Sequence, residues 1–332
     1  MISGGGLRMV SASDIEQALS RQQATQAIVG ALRSGLEPSE DTERQIVELT
    51  GGQLLLMPSA SATGVGLKAL TVAADAPTSG RPRIQGVYLL FDAETLEPRA
   101  ILDGIALTSL RTPAVSIAAI SPLLSRFDQP VNVLVFGAGP QGVGHAEALR
   151  AVSSIDLADV VFVVRQPRRA FERLPPHTRI VHTTDSSVTK LLERANVVVC
   201  ATSARTPLFD SAYLPDGSII VAVGSHETQA RELDGPLMGA ADVIVEDLRT
   251  ASREAGDVVL AQREGHLHSD DLIPMVDIVR GQRALRTDRT AVFKSVGMPW
   301  QDLVMAEAVI KQLSDRSEPS FGHGVTLPQH RA

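Results

Sequence analysis

Three glycines, Gly137, Gly139 and Gly142, stand at the spacing Gly-x-Gly-x-x-Gly. They directly follow the β-branched run 131–136 and open a helix-like pattern that continues through Leu149. That order is what a dinucleotide phosphate site needs. Gly137 lets the chain turn sharply off a strand, Gly139 removes a side chain that would block a pyrophosphate, and Gly142 lets helix and strand pack closely. The helix start offers backbone N–H groups and a partial positive charge to the phosphates. Pro140 and Gln141 complete the loop as candidate cofactor contacts. A tight strand-to-helix turn without a ligand would use the same glycines.

The next strand, 160–164, ends in Arg165-Gln-Pro-Arg168-Arg169, three guanidinium groups within five residues. A fold of this kind that binds NAD commonly carries Asp or Glu there, to accept from the ribose 2′-hydroxyl. A carboxylate would repel a 2′-phosphate, whereas arginines bind it bidentately. NADP(H) is therefore favoured, with NAD(H) the alternative, since a solvated basic loop tolerates either.

Two cations interrupt apolar segments. Lys68 lies in Gly-Val-Gly-Leu-Lys-Ala-Leu, where an unpaired buried ammonium is costly unless it snorkels to the surface. Arg111 lies in Leu-Arg-Thr-Pro-Ala-Val-Ser-Ile-Ala-Ala and wants an anion, either a structural carboxylate or a substrate carboxylate or phosphate. His226-Glu227 follows the strand 219–223, where open α/β sheets bind ligands. Read blandly, it is a loop histidine before a helix starting at Gln229.

The elements that must position these residues divide the chain of 332 residues into two domains. Residues 7–10 read as a short strand, Ser13 and Glu16 as a capping box for a helix to about residue 20, and 23–34 as a second helix. Residues 37–42 read as a loop. Strands at 45–49, 53–57, 66–72, 84–91 and 100–103 are antiparallel in character, being joined by short turns. A buried helix follows at 108–124. From Val131 the pattern alternates strand and helix, with strands at 131–136, 159–164, 179–182, 197–201, 219–223 and 243–245. That is a Rossmann-type, doubly wound parallel sheet. A helix at 300–313 crosses back towards the first domain, and the Pro-, Gly- and His-rich tail is left without structure.

Composition narrows the function. The net charge is −7, and two Tyr and one Trp leave few stacking platforms, which argues against a nucleic-acid partner. No apolar run approaches the ~18 residues that span a bilayer, so no membrane is expected. Met-Ile-Ser-Gly-Gly-Gly does not read as a signal peptide. The single cysteine, Cys200, reads as a buried strand residue, and a reducing cytoplasm is the expected setting. No metal site is expected.

Several collinear segments together resemble the ornithine cyclodeaminase/μ-crystallin family. They are Leu55-Leu-Met-Pro58, Gly66-Leu-Lys68, Gly86-Val-Tyr-Leu-Leu-Phe-Asp92, Leu107-Thr-Ser-Leu-Arg111-Thr112, Gly137-Ala-Gly139-Pro-Gln141, Val223-Gly-Ser-His226 through Arg231-Glu-Leu-Asp234, and Phe293-Lys-Ser-Val-Gly297. The resemblance implies a homodimer. It also implies a discontinuous α+β substrate-binding and dimerisation domain (1–115 with 305–332) around a nucleotide-binding domain (116–304). It places Arg44, Lys68 and Arg111 as substrate-carboxylate ligands and Thr112 at the pyrophosphate. Thr202, Ser203, Gly224, Ser295 and Gly297 complete the expected cofactor contacts.

The departures narrow the reaction. Cyclodeaminases of the family carry a catalytic Asp where His226 stands and an acid for the distal ammonium where Leu55 stands. A leucine cannot hold an ammonium ion. The expected activity is therefore NAD(P)H-dependent reduction of a cyclic or N-substituted ketimine acid, such as Δ1-pyrroline-2-carboxylate or Δ1-piperideine-2-carboxylate, to the L-amino acid. Lys68 or His226 would supply the proton. The alternatives are an amino-acid dehydrogenase, an ammonia-releasing cyclodeaminase, and a non-catalytic NADPH-dependent binding protein.

Overall fold

The structure is a computed structural model that describes residues 7–74, 82–152, 154–172, 174–225 and 227–316. His226, the first six residues and the tail from 317 lie outside the described residues. The first sheet contains β1 (Arg8–Val10), β2 (Gln45–Leu49), β3 (Gly52–Ala60), β4 (Gly64–Ala73), β5 (Ile84–Asp92) and β6 (Pro98–Asp103). Its order is β1-β6-β5-β4-β3-β2. The strands from β2 to β6 pair antiparallel, and β1 joins β6 in parallel.

Side chains alternate across this sheet. Gly64, Gly66, Lys68 and Leu70 of β4 are buried on one face, while Val65, Leu67 and Ala69 on the other are half-exposed. Met57 pairs with Lys68, and Leu55 with Leu70, so Leu55 shares the face of Lys68. The helix Pro299–Asp315 packs on that face, against β3, β4 and β5.

The second sheet contains β7 (Val131–Phe136), β8 (Leu157–Val164), β9 (Arg179–His182), β10 (Val197–Cys200), β11 (Ile219–Ala222), β12 (Asp242–Val245), β13 (Leu272–Pro274) and β14 (Ala291–Lys294). Its order is β13-β12-β14-β11-β10-β7-β8-β9, and each pairing is parallel. The order reverses between β7 and β10, the switch point where doubly wound sheets bind ligands. The parallel, doubly wound architecture is the one expected from the sequence.

Two strands were not expected. β13 ends in proline and is tolerated at the sheet edge. β14 has three apolar residues before Lys294, too short a run to read as a strand. Its place between β11 and β12 nevertheless buries all four residues.

The helix Gly104–Leu124 starts four residues before its expected position because Asp103 caps it, accepting from Ile105 N and Ala106 N at 2.9 Å. Pro113 lacks an N–H and frees the Ser109 carbonyl, which accepts from Arg21 Nη1 at 2.9 Å. By length and composition this helix could cross a membrane, contrary to the expectation that no run comes near. Most of it is buried inside the protein, with Leu107, Val115 and Ile120 in the core shared by both sheets.

Three smaller expectations are corrected. The capping box belongs to Ser11 and Asp14, because Ser11 holds the extended cap conformation while Ser13 is already helical. Residues 37–42 include a short 3-10 turn, Pro38–Glu40. No helix starts at Gln229, and the next begins at Gly235 after Asp234 caps it.

Candidate active site

The glycine loop forms an open cradle at the switch point. Gly137 has φ +101°, and a Cβ there would lie 2.4 Å from the Ala201 carbonyl oxygen. A Cβ on Gly142 would lie 2.0 Å from the Gly137 carbonyl, so helix and strand need this glycine to pack. A Cβ on Gly139 would meet nothing within 4 Å. The helix Pro140–Arg150 begins there without a side-chain cap. Open space before uncapped N–H groups fits a dinucleotide pyrophosphate. Pro140 is exposed, and Gln141 Oε1 is buried without a partner among the described residues.

This cradle is tied to the helix that carries Arg111 and Thr112. A Cβ on Gly144 would lie 3.0 Å from Pro113 Cγ, so the two helices are in close contact. His145 bridges them. Its Nδ1 lies 2.7 Å from the Gln141 carbonyl oxygen and its Nε2 2.9 Å from Ser116 Oγ. Ser116 Oγ is 3.1 Å from the carbonyl oxygen of Thr112, which is itself buried. Burial lowers His145 to about 4, so the ring is neutral.

Arg165, Arg168 and Arg169 are exposed beyond the carboxyl end of β8. Among the described residues their guanidinium groups form no ion pair. Ser203 is likewise exposed beyond β10.

The other expected cofactor contacts are shaped from behind by buried acids. Glu232 accepts from Thr202 N, Thr202 Oγ1 and Gly224 N, each at 2.8 Å. Asp257 accepts from Glu232 N and pairs with Lys294 at 2.9 Å, and Lys294 donates to the Ser225 carbonyl. Glu246 accepts from Ser295 Oγ at 2.8 Å, Val296 N at 2.9 Å and Gly297 N at 3.0 Å. The N–H groups of Thr202, Gly224 and Gly297 and the hydroxyls of Thr202 and Ser295 are thus committed within the chain. What these residues offer a ligand is loop shape.

The three expected substrate cations converge. Arg44 Nη2 donates to the Val296 and Gly297 carbonyls. Gly297 has φ +79°, and a Cβ there would come within 2.6 Å of the Arg111 guanidinium. Arg111 donates to Gln301 Oε1 at 2.7 Å, and Gln301 donates to Glu246. Lys68 and Arg111 both face Asp302. Lys68 Nζ is 2.6 Å from Oδ2, and Arg111 Nε is 3.5 Å from Oδ1. Lys68 is 1% exposed and Asp302 is fully buried. Burial pulls Lys68 down to about 8, against the opposing pull of the Asp302 carboxylate.

Of the anions the sequence left open for Arg111, a structural carboxylate is present. Asp302 serves Lys68 and Arg111, and Glu254 pairs with Arg44 at 2.8 Å. Asp302 escaped sequence reading because an acid in the first turn of a helix, in Pro299-Trp-Gln-Asp, ordinarily complements the helix dipole at the surface. Glu246 and Asp257 lie in segments with no motif around them, and Glu232 lies in the Arg231–Asp234 segment of the resemblance, where no role was read for it. Lys68, Arg111 and Asp302 together carry one net positive charge in a dry setting, which suits one further carboxylate.

Fold and site together define a dinucleotide-binding α/β protein with a buried cluster of cations and acids beyond the carboxyl end of β14. The chain belongs to the ornithine cyclodeaminase/mu-crystallin family, whose pattern it matches over residues 7–317. A Delta(1)-pyrroline-2-carboxylate reductase of Colwellia psychrerythraea is 29% identical over 324 residues, covering 93% of this chain and 100% of that one. A Delta(1)-pyrroline-2-carboxylate/Delta(1)-piperideine-2-carboxylate reductase of Azospirillum brasilense is 31% identical over 280 residues, 82% of this chain and 85% of that one. Among solved structures, Thermococcus litoralis Delta(1)-pyrroline-2-carboxylate reductase, in complex with NADH and L-proline, has a TM-score of 0.82 at 22% identity. The match covers 93% of this chain and 98% of that one, and it concerns the fold.

Proposed function

We propose that the protein is an NAD(P)H-dependent reductase of cyclic or N-substituted ketimine acids, with Δ1-pyrroline-2-carboxylate and Δ1-piperideine-2-carboxylate as the type substrates. The observation that carries this reading is the meeting of Arg111 and Arg44 at Gly297, just beyond the carboxyl end of β14, with Lys68 joined to Arg111 through Asp302. Relatives that carry the reductase name along nearly the whole chain support it.

When bound, the nicotinamide supplies a hydride to the substrate α-carbon. The chain does the remainder. Arg111 and Lys68 hold the substrate carboxylate and fix the α-carbon in place. Their burial excludes water from the reacting C=N bond. Lys68 Nζ gives a proton to the imine nitrogen, with His226 as the other candidate donor. The C=N bond becomes a single bond, carbon gaining the hydride and nitrogen the proton. Leu55 lies on Lys68's side of the sheet, in a small apolar cluster with Met57 and Leu70. The distal ammonium of ornithine would lose its hydration there, which disfavours cyclodeamination.

NADP(H) is the preferred cofactor, because Arg165, Arg168 and Arg169 follow β8, where a fold of this kind would read the ribose 2′ position, and form no ion pair among the described residues. The working form is a homodimer, joined through the open face of the first sheet. The single thiol, Cys200, is buried in β10 and suits a reducing cytoplasm. The reading is tested by following nicotinamide absorbance with NADPH and Δ1-pyrroline-2-carboxylate. NADPH loss with formation of proline is expected. Ammonia release from ornithine without net NADPH consumption would replace this reading with cyclodeamination.

A further inference from the structure

Asp302 is a buried carboxylate with unfinished bonding. Oδ2 takes the Lys68 ammonium at 2.6 Å. Oδ1 faces Arg111 Nε at 3.5 Å, beyond hydrogen-bond geometry, and both atoms are buried without a hydrogen-bond partner among the described residues. A purely structural triad would close that last bond, since an unmade buried bond is costly. Here Arg111 spends Nη1 on Gln301 instead and leaves Nε facing the carboxylate.

We propose that Asp302 is a positioning residue for the imine reduction: it holds Lys68 as an ammonium, aimed along the face it shares with Arg111, and so sets the alkaline limit of the reaction. This rests on the proposed role of Lys68 as proton donor. The surroundings of Lys68 explain why the carboxylate is needed. From the Gly104–Leu124 helix come Arg111 and Thr108, whose Oγ1 is 3.5 Å from Nζ. From β5 comes Tyr88, directly opposite Lys68 in the sheet. From the chain before β2 come Arg44 and Asp41, and from the Pro299–Asp315 helix come Asp302 and Glu307. Desolvation and two guanidinium groups oppose the ammonium. Asp41 and Glu307 bond to Ser59 and Thr63, away from Nζ. Asp302 is the carboxylate in contact.

The proton count is simple. Lys68 gives its proton to the imine nitrogen in each turnover and recovers one from solvent. With Asp302 in contact and opposing the effect of burial, recovery is favourable up to about pH 8, where Lys68 itself titrates. Without that carboxylate the charges that act most on the ammonium are the two guanidinium groups, in a low dielectric, so its titration falls by about one to three pH units.

The test compares the full-length protein with Asp302→Asn, Asp302→Glu, Lys68→Met and the double variant Asp302→Asn/Lys68→Met. The chain contains four lysines, Lys68, Lys190, Lys294 and Lys311. Lysine-labelled NMR can therefore follow the Lys68 side chain directly, assigned by its loss in Lys68→Met. The Lys68 titration should move down by at least one pH unit in Asp302→Asn and return in Asp302→Glu. The alkaline limb of kcat/KM should move with it, and the double variant should be no slower than Lys68→Met alone. An unmoved Lys68 titration in Asp302→Asn overturns the proposal, as does a double variant whose losses multiply. NADPH titration of each variant reports whether the cofactor domain remains folded. If the wild type does not reduce imines, the reductase reading fails, and the NMR titration still decides whether Asp302 controls Lys68.

Discussion

Gly297 is the residue at which the two halves of the site meet. Its carbonyl accepts from Arg44, its N–H donates to Glu246, and its missing Cβ admits Arg111. Any side chain there would be strained by the backbone and would strike the guanidinium. Cofactor choice also belongs to this scale. Arg165 is exposed, so substituting it leaves the core untouched. Arg165→Asp should reverse the ratio of NADPH to NADH kcat/KM by about tenfold or more, a loss of one charge-assisted contact. An unchanged ratio would remove the arginine loop from the account. The glycine triplet, Lys68 and Arg111 were legible because each breaks a local rule: glycine at fixed spacing, or charge within an apolar run. Asp302 and Glu246 were not, because each breaks its rule only after folding. In the sequence Asp302 is an ordinary first-turn acid. Only the packing of its helix onto β4 buries it against Lys68.

The helix Gly104–Leu124 ties the glycine-loop helix to the buried cation cluster. It carries Arg111 in that cluster, and through Ser116 and His145 it touches the helix that opens at Gly139. The folded-state value of His145, about 4, lies below its ordinary 6.5. Between those values the unfolded chain takes up a proton that the folded protein refuses. The stability from neutral His145 is complete above about pH 6.5 and is lost as pH falls to about 4, a change on the order of 3 kcal/mol. Denaturant titrations at pH 7 and pH 4.5 should show a smaller difference in His145→Gln than in the wild type. Equal differences would mean that His145 is not a neutral tie between the helices. Most long elements were legible from periodicity, including β7 with its bounds intact. β14 was not, because four residues give no period to read, and its strand character comes from the neighbours β11 and β12. The first capping box was misplaced by two residues, since Ser11/Asp14 and Ser13/Glu16 both have the required spacing and backbone conformation decides between them.

At the scale of the molecule, the first sheet has one face covered and one open. Lys68 and the Pro299–Asp315 helix occupy the covered face. The other presents Leu54, Leu56, Leu67, Val87 and Leu89, half-exposed or exposed. A contiguous apolar sheet face of this kind suits a second copy of the chain. Val87 is 44% exposed, so a charge there does not enter the protomer core. Val87→Glu should convert a dimer to a monomer in light scattering after size exclusion. A wild-type protein that already runs as a monomer would contradict the assembly. The sequence alone could not show this face, because Val87 and Tyr88 read equally apolar until register assigns them to opposite sides.

The most direct measurement of the central claim compares two imines that differ only in the carboxylate: Δ1-pyrroline-2-carboxylate and Δ1-pyrroline, each with NADPH. The site built by Arg111, Lys68 and Asp302 should reduce the first and form proline. It should discriminate against the second by roughly a hundredfold or more in kcat/KM, since losing a buried charged contact costs about 2–5 kcal/mol. Equal rates with the two imines, or no oxidation of either cofactor with the first, would contradict the account.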